Sequence, residues 1–118
     1  MYIQGFVVAV PEGNKQAYRD VAAKFADFAK DFGVIEIMEA WEADVPDGKQ
    51  TDFRRAVQIE PGEKVVFSWV IWPDKATADG AHAQMMSDPR MRDMGEMPFD
   101  GKRMIFGGFE PLLSVGRD

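Results

Sequence analysis

The chain has 118 residues, a formal net charge of −6 and no cysteine. This length predicts one domain, spanning 1–118, with a single modest core. The lack of cysteine excludes disulfides, thiol catalysis and cysteine-based metal sites. The acidic balance, with no basic stripe, argues against a nucleic acid partner, because binding a phosphate backbone requires clustered Lys and Arg.

The sequence shows no targeting or membrane-spanning segment. Its first residues lack the basic region and apolar stretch of a secretory signal. It also contains no run of about 18 apolar residues, the minimum for a transmembrane helix. We therefore expect a cytoplasmic protein with no membrane partner.

The first half of the chain predicts a strand, a helix and a second strand. Tyr2–Val10 is rich in β-branched and aromatic residues and is apolar on both faces. Apolar residues recur at helical spacing through 15–32, so we predict a helix that stops at Gly33. Residues 34–43 carry three glutamates, which is typical of a strand near the edge of a sheet. Residues 53–59 fit either a short helical turn or a short strand.

The second half contains the clearest strand, Glu63–Trp72, which is apolar on both faces and therefore must be covered on both. One of its faces carries Val65, Phe67, Trp69 and Ile71. A second helix with an Ala- and Met-rich face is predicted at Lys75–Met86, followed by a short helical turn at 89–94. The last strand is predicted at Arg103–Val115. Because proline has no N–H to donate, either the pairing frays near Pro111 or this strand lies at an edge of the sheet.

This order, βαββαβ, predicts an α+β fold of the ferredoxin-like type with a four-stranded antiparallel sheet. Two helices can cover only one face of such a sheet. The other face would be a larger apolar patch than monomers usually expose. We therefore expect a homodimer in which two sheets face each other across a two-fold axis. The alternative is that the long loops 44–63 and 88–102 fold over this face.

Several stretches resemble one known family. They are Met1–Val7, Val65–Trp69, Asp88–Met91 and Met97–Phe109, the last containing the specific block Phe-Asp-Gly-Lys-Arg-Met. The chain resembles the YbaA-like family of uncharacterised bacterial proteins over nearly its whole length. This resemblance implies the dimeric α/β-barrel fold and brings no established activity. Relatives with that fold include small monooxygenases, isomerases, haem-binding enzymes and sensing domains, so the fold alone does not indicate a function.

Two residues are candidates for catalysis. His82, the single histidine, lies on the second predicted helix and is a candidate general base or haem ligand. We favour the alternative that it is an exposed or structural histidine. Glu39 shares a strand face with Ile37 and Trp41, and a carboxylate facing a dry interior would act as acid or base. A solvated edge is the preferred explanation of Glu39. One histidine cannot build a histidine-rich metal site, so we predict no metal and no cofactor.

Five residues are candidates for ligand binding. One hypothesis is that Trp41, Phe67 and Trp69 line a pocket between the sheets; a role in the dimer core is the explanation we favour. Lys102 and Arg103 lie where the preceding loop meets the predicted last strand, and they would recognise an anionic group. A turn pinned by a salt bridge explains this pair equally well.

Three functions compete. The first is a small homodimer, enzyme or degenerate enzyme, that binds or transforms a small apolar or aromatic molecule without a bound cofactor. The second is a non-catalytic binding or interaction module, such as a ligand sensor or accessory protein. The third, RNA binding, follows from the strand order of the RNA-recognition fold, but the third strand lacks its basic-Gly-aromatic pattern and the net charge is wrong. The sequence leaves open whether the protein is an enzyme.

Overall fold

The computed structural model describes residues 1–116, and its centre is a four-stranded sheet. The strands are β1 (Tyr2–Pro11), β2 (Glu36–Trp41), β3 (Glu63–Trp72) and β4 (Ile105–Phe109). They lie in the order β2-β3-β1-β4, and every neighbouring pair is antiparallel. The predicted ferredoxin-like α+β fold is therefore confirmed. The last two residues of the predicted domain lie outside the described part of the chain.

The helices are α1 (Lys15–Lys30), α2 (Phe53–Ala56) and α3 (Lys75–Ser87). Short 3-10 helices occupy Glu12–Asn14, Pro89–Met94 and Gly101–Arg103. Carboxylates start two of the α-helices, because Asp52 accepts the Arg55 N–H and Asp74 accepts the Thr77 N–H. Past the end of α1, the backbone of Gly33 adopts a φ of +95°, which suits glycine and stops the helix.

Helices α1 and α3 cover one face of the sheet, here called the helix side. The small side chains of Ala78 and Ala81 let α3 lie close to Val70 and Trp72 of β3. Buried residues contributed by this packing are Val8, Val10, Val66, Phe28, Ala29 and Met85. Each large apolar side chain buried here contributes about 1.5–3 kcal/mol to the stability of the fold.

The second face, here called the open face, carries apolar side chains from three strands. They are Ile3, Val7, Phe67, Trp69, Ile71, Ile105 and Phe109. Pairing places Val7 between Phe67 and Ile105, so the alternation predicted for the central strands is confirmed. The face is only partly covered: Phe67 is 41% exposed and Phe109 is 59% exposed.

A segment after β2 covers one end of the open face. Val57 is fully buried and packs with Ile59 against Val7 and Val65, while the ring of Phe53 meets the ring of Phe67 edge to face. The ambiguous stretch 53–59 is thus a one-turn helix with an apolar extension. One of the two loops considered as covers therefore shields one end of the sheet and leaves the rest open.

The last strand is shorter than predicted. Arg103 belongs to a 3-10 helix that Asp100 caps, so β4 begins at Ile105. Pairing ends at Phe109, two residues before Pro111, which has no N–H to donate. Residues 110–116, here called the tail, extend from the sheet, and the side chains of Leu112, Leu113 and Val115 are almost fully exposed.

Candidate functional site

The open face holds an apolar pocket of about 480 Å³. Its floor contains Gly5 and Gly107, which are paired across β1 and β4. A Cβ atom on either glycine would lie 3.5 Å from the ring of Phe109. The ring of Phe109 therefore lies over the two glycines, at a distance that would be ordinary van der Waals contact for a Cβ atom.

One polar contact orients the aromatic wall of this pocket. The indole Nε1 of Trp69 donates a hydrogen bond of 2.7 Å to Oε2 of Glu36 on the neighbouring strand. The ring of Phe67 then meets Trp69 edge to face, with ring centroids 5.8 Å apart. Glu36 and Phe67 thus hold the orientation of the Trp69 ring, and the space in front of the two aromatic rings is apolar.

A second pocket, of about 380 Å³, lies on the helix side between α1 and β2. The Tyr18 hydroxyl donates a 2.6 Å hydrogen bond to Oε1 of Glu39. Ser68 is buried directly opposite Glu39 in the strand register, and its hydroxyl also hydrogen-bonds to this carboxylate. Residues of α1, β2 and β3 thus meet at the Glu39 carboxylate. We call this space and its lining residues the Glu39 pocket.

Burial raises the pKa of the Glu39 carboxyl, and the hydrogen bonds from Tyr18 and Ser68 offset only part of this effect. Burial also raises the pKa of Tyr18 strongly, and the adjacent Glu39 adds to the shift. Tyr18 therefore stays a neutral donor, whereas Glu39 is a carboxylate that accepts a proton more readily than one in water.

The loop before β4 is held by Arg103. Its guanidinium makes two hydrogen bonds to the carboxylate of Glu63, of 2.8 and 2.7 Å, and a third of 3.1 Å to Asp100. A fourth, of 3.0 Å, reaches the carbonyl oxygen of Gln58. These contacts engage Arg103 within the chain, and they lower the pKa of Glu63. The neighbouring Lys102 side chain is exposed and has no polar partner within residues 1–116.

The structure separates the residues that the sequence proposed for one site. Trp41 lies on the helix side, where the ammonium of Lys15 is 5.2 Å from its ring centroid, and so it does not join Phe67 and Trp69. His82 is exposed on α3, and its side chain makes no hydrogen bond or ion pair with the described residues. Within the same residues, no group of three or more His, Asp or Glu side chains is placed to hold a metal ion.

Sequence reasoning missed Tyr18, Ser68 and Glu36 as site residues. Tyr18 belongs to the apolar stripe of α1, and nothing in that stripe distinguishes a core tyrosine from one that contacts a carboxylate. Ser68 is the single polar residue on the helix-side face of its strand, between 66 and 72, which was the one available signal.

The fold and its sites define the chain as a ferredoxin-like α+β protein with an uncovered apolar sheet face. The chain belongs to the DUF1428 family of proteins of unknown function, which matches residues 1–101. It is 59% identical over 113 residues to the uncharacterized protein YbaA of Escherichia coli K12, covering 95% of this chain and 97% of that protein. YbaA of Shigella flexneri matches with the same identity and coverage.

Solved structures with little sequence similarity share the fold. SnoaB, a cofactor-independent oxygenase from Streptomyces nogalater, matches with a TM-score of 0.57 at 15% identity and covers 98% of each chain. At3g17210 from Arabidopsis thaliana has a TM-score of 0.61 at 10% identity, covering 99% of this chain and all of that one. A dimeric ferredoxin-like protein of unknown function from Jannaschia sp. CCS1 has a TM-score of 0.55 at 14% identity, with coverages of 94% and 100%.

Proposed function

We propose that the protein is a homodimer that binds a small apolar or aromatic molecule between two facing sheets. The observation that carries this proposal is the open-face pocket, an apolar space with aromatic walls. Its rim residues Ile105 and Phe109 are exposed in the isolated protomer. Exposing such an apolar surface to water is unfavourable, and a second copy of the protein would cover it.

The relatives support the homodimer by analogy. Two solved proteins of this fold, from Jannaschia sp. CCS1 and from an uncultured marine organism, are described as dimeric ferredoxin-like proteins.

Within residues 1–116, no helix is both long and apolar enough to span a bilayer. The cytoplasmic location stays a prediction.

The pocket supports ligand binding more than catalysis. Its volume falls in the range of about 300–1,000 Å³ that is typical of small-molecule sites. None of the described residues lining it is titratable, and Glu36 beside it is engaged with Trp69. The lining also lacks Lys and Arg, which disfavours RNA. SnoaB is described as a cofactor-independent oxygenase, so a catalytic role without a cofactor is the second candidate.

The first test is the solution mass, measured by light scattering during size-exclusion chromatography. We expect twice the 13.3 kDa of the chain. A monomer at micromolar concentration would contradict the homodimer, and the open face would then be available to a different partner.

Ligand binding is tested with N-phenyl-1-naphthylamine, a neutral aromatic probe whose fluorescence rises in apolar sites. We expect saturable binding that Gly107→Leu weakens about tenfold, because the leucine side chain would project into the pocket from its floor. The matched control is Gly13→Leu, at a position where an added Cβ atom would meet no atom within 4 Å. Equal binding by both variants would place the probe elsewhere.

The tail is expected to strengthen the dimer. Leu113 and Val115 lie beside Ile3 at the border of the open face, and most of their surface contacts no part of their own protomer. Deleting residues 112–118 should raise the dimer dissociation constant about 10- to 100-fold, because each buried leucine contributes about 1.5–3 kcal/mol. Analytical ultracentrifugation measures this constant, and an unchanged value would show that the tail makes no contact with the partner.

A further inference from the structure

We propose that the Glu39 pocket is a second small-molecule site, one that takes a hydroxyaromatic acid. In this assignment the ligand hydroxyl donates to Glu39, the ring lies on Trp41 and the ligand carboxylate faces Lys15 and Arg19. The site lies on the helix side of the sheet, so it does not depend on the homodimer or on the open-face pocket.

The first argument is the state of the Glu39 carboxylate. A carboxylate has about four acceptor positions. Tyr18 occupies one on Oε1, and Ser68 donates from the sheet below. Glu39 also lines the pocket, so acceptor positions remain toward the empty space. The raised pKa of this group makes it a strong acceptor for a weakly acidic hydroxyl such as a phenol.

The second argument is charge. Lys15 and Arg19 line the pocket one helical turn apart on α1. Neither side chain has a carboxylate or other hydrogen-bond partner among residues 1–116, although the protein as a whole carries a net charge of −6. Two unpaired cations beside one carboxylate give the pocket a net positive charge. An anionic ligand would therefore be attracted here in spite of the acidic surface.

The third argument is the aromatic wall. The Trp41 ring is half-buried and lines the pocket together with the apolar side chain of Val66. Lys15 lies over this ring at 5.2 Å from its centroid, which is the position of a cation attracted to an aromatic face. A planar ligand would take that face, and Lys15, on its flexible stem, would then pair with the ligand carboxylate.

The test is calorimetric titration of the full chain with 4-hydroxybenzoate, with benzoate and with phenol. We expect saturable binding of 4-hydroxybenzoate and at least tenfold weaker binding of the two fragments, because each lacks one of the two anchoring groups. Absence of saturable binding of 4-hydroxybenzoate up to about 10 mM would overturn the proposal.

Two variants assign the anchoring groups separately. Glu39→Gln should weaken 4-hydroxybenzoate and phenol at least tenfold and leave benzoate unchanged, whereas Lys15→Gln should weaken 4-hydroxybenzoate and benzoate and leave phenol unchanged. Glu12→Gln, at an exposed residue outside the pocket, is the matched control. Equal affinity of all variants for every ligand would place the ligand elsewhere and overturn the assignment.

A second readout distinguishes loss of folding from loss of binding, and the Glu39 pocket from the open-face pocket. Binding of N-phenyl-1-naphthylamine on the open face should be the same in Glu39→Gln and in the native protein. If Glu39→Gln does not fold, the exposed Lys15→Gln variant still decides the question through its selectivity between benzoate and phenol. Loss of probe binding in Gly107→Leu, with 4-hydroxybenzoate binding intact, would confirm that the sites are distinct.

Discussion

Replacing Arg103 with alanine should lower the melting temperature by on the order of 10 °C. The reason is that the substitution leaves Glu63 without its charged partner. The Glu63 side chain is 8% exposed, and its carboxylate would lose both hydrogen bonds from Arg103, whose side chain is 14% exposed. Removing one member of a buried pair is strongly destabilising, because the remaining charge stays buried; here Glu63 would keep only the hydrogen bond from the Glu60 N–H. The links from Arg103 to Asp100 and Gln58 are lost at the same time.

Thermal unfolding followed by circular dichroism measures the effect of Arg103→Ala. Lys102→Ala is the matched control, since it removes a neighbouring charge that has no side-chain partner among the described residues, and its melting temperature should change little. A native melting temperature for Arg103→Ala would mean that the loop does not need this residue. Recognition of an anion by Arg103 would then be the better explanation.

The pH dependence of this variant follows from the lowered pKa of Glu63, whose main cause is the hydrogen bonding to Arg103. A carboxyl with a lower pKa in the folded state than in the unfolded chain, where it is about 4.3, stabilises the fold above that pH and loses this contribution as the pH falls through the folded-state value. Without Arg103, the main cause of this lowered pKa is lost. The difference in melting temperature should therefore be largest near pH 7 and shrink below about pH 4.

Phe67→Asp should convert the proposed homodimer to a folded monomer. Because Phe67 is 41% exposed in the protomer, water can reach an aspartate there when the chain is alone. In the proposed dimer the same carboxylate would be buried against a second apolar sheet. The two-fold axis would bury two such charges, so we expect the dissociation constant to rise at least about 1,000-fold.

Phe106→Asp is the control for this experiment. Phe106 is also aromatic and is 72% exposed. It lines one edge of the pocket, but alternation with Ile105 turns its side chain toward the helix side, where it stacks on Phe6. Light scattering should show a monomer for Phe67→Asp and a dimer for Phe106→Asp. Dissociation by Phe106→Asp alone would move the interface to the helix side and contradict the proposed pocket.

Much of the fold could be predicted from residue patterns because it depends on local periodicity. The two-residue alternation in β1 and β3 assigns every side chain to a face, and proline marks the end of each long apolar run. The start of β4 could not be predicted in this way. Residues 101–103 form a 3-10 helix capped by Asp100. The apolar residues beyond 109 have the composition of a strand but pair with no other strand among the described residues.

The site was harder to predict because its contacts are not local. Alternation along β2 placed Glu39 with Trp41, and the structure keeps these residues together. The grouping of Trp41 with Phe67 rested on residue type, and the parity of the two strands separates them. Arg103 and Glu63 are 40 residues apart, and no periodicity reveals such a pair.

The pairing of β1 has a consequence for how the chain folds during synthesis. This first strand is central in the sheet, and both of its partners, β3 and β4, come from the second half of the chain. Until residues 63–72 have been made, both of its hydrogen-bonding edges are free, and one edge stays free until Phe109 has been added. Folding of this kind is slow because segments distant in sequence must meet first. Until they do, β1 is unpaired and apolar on both faces, so it is the part of the nascent chain most prone to aggregation.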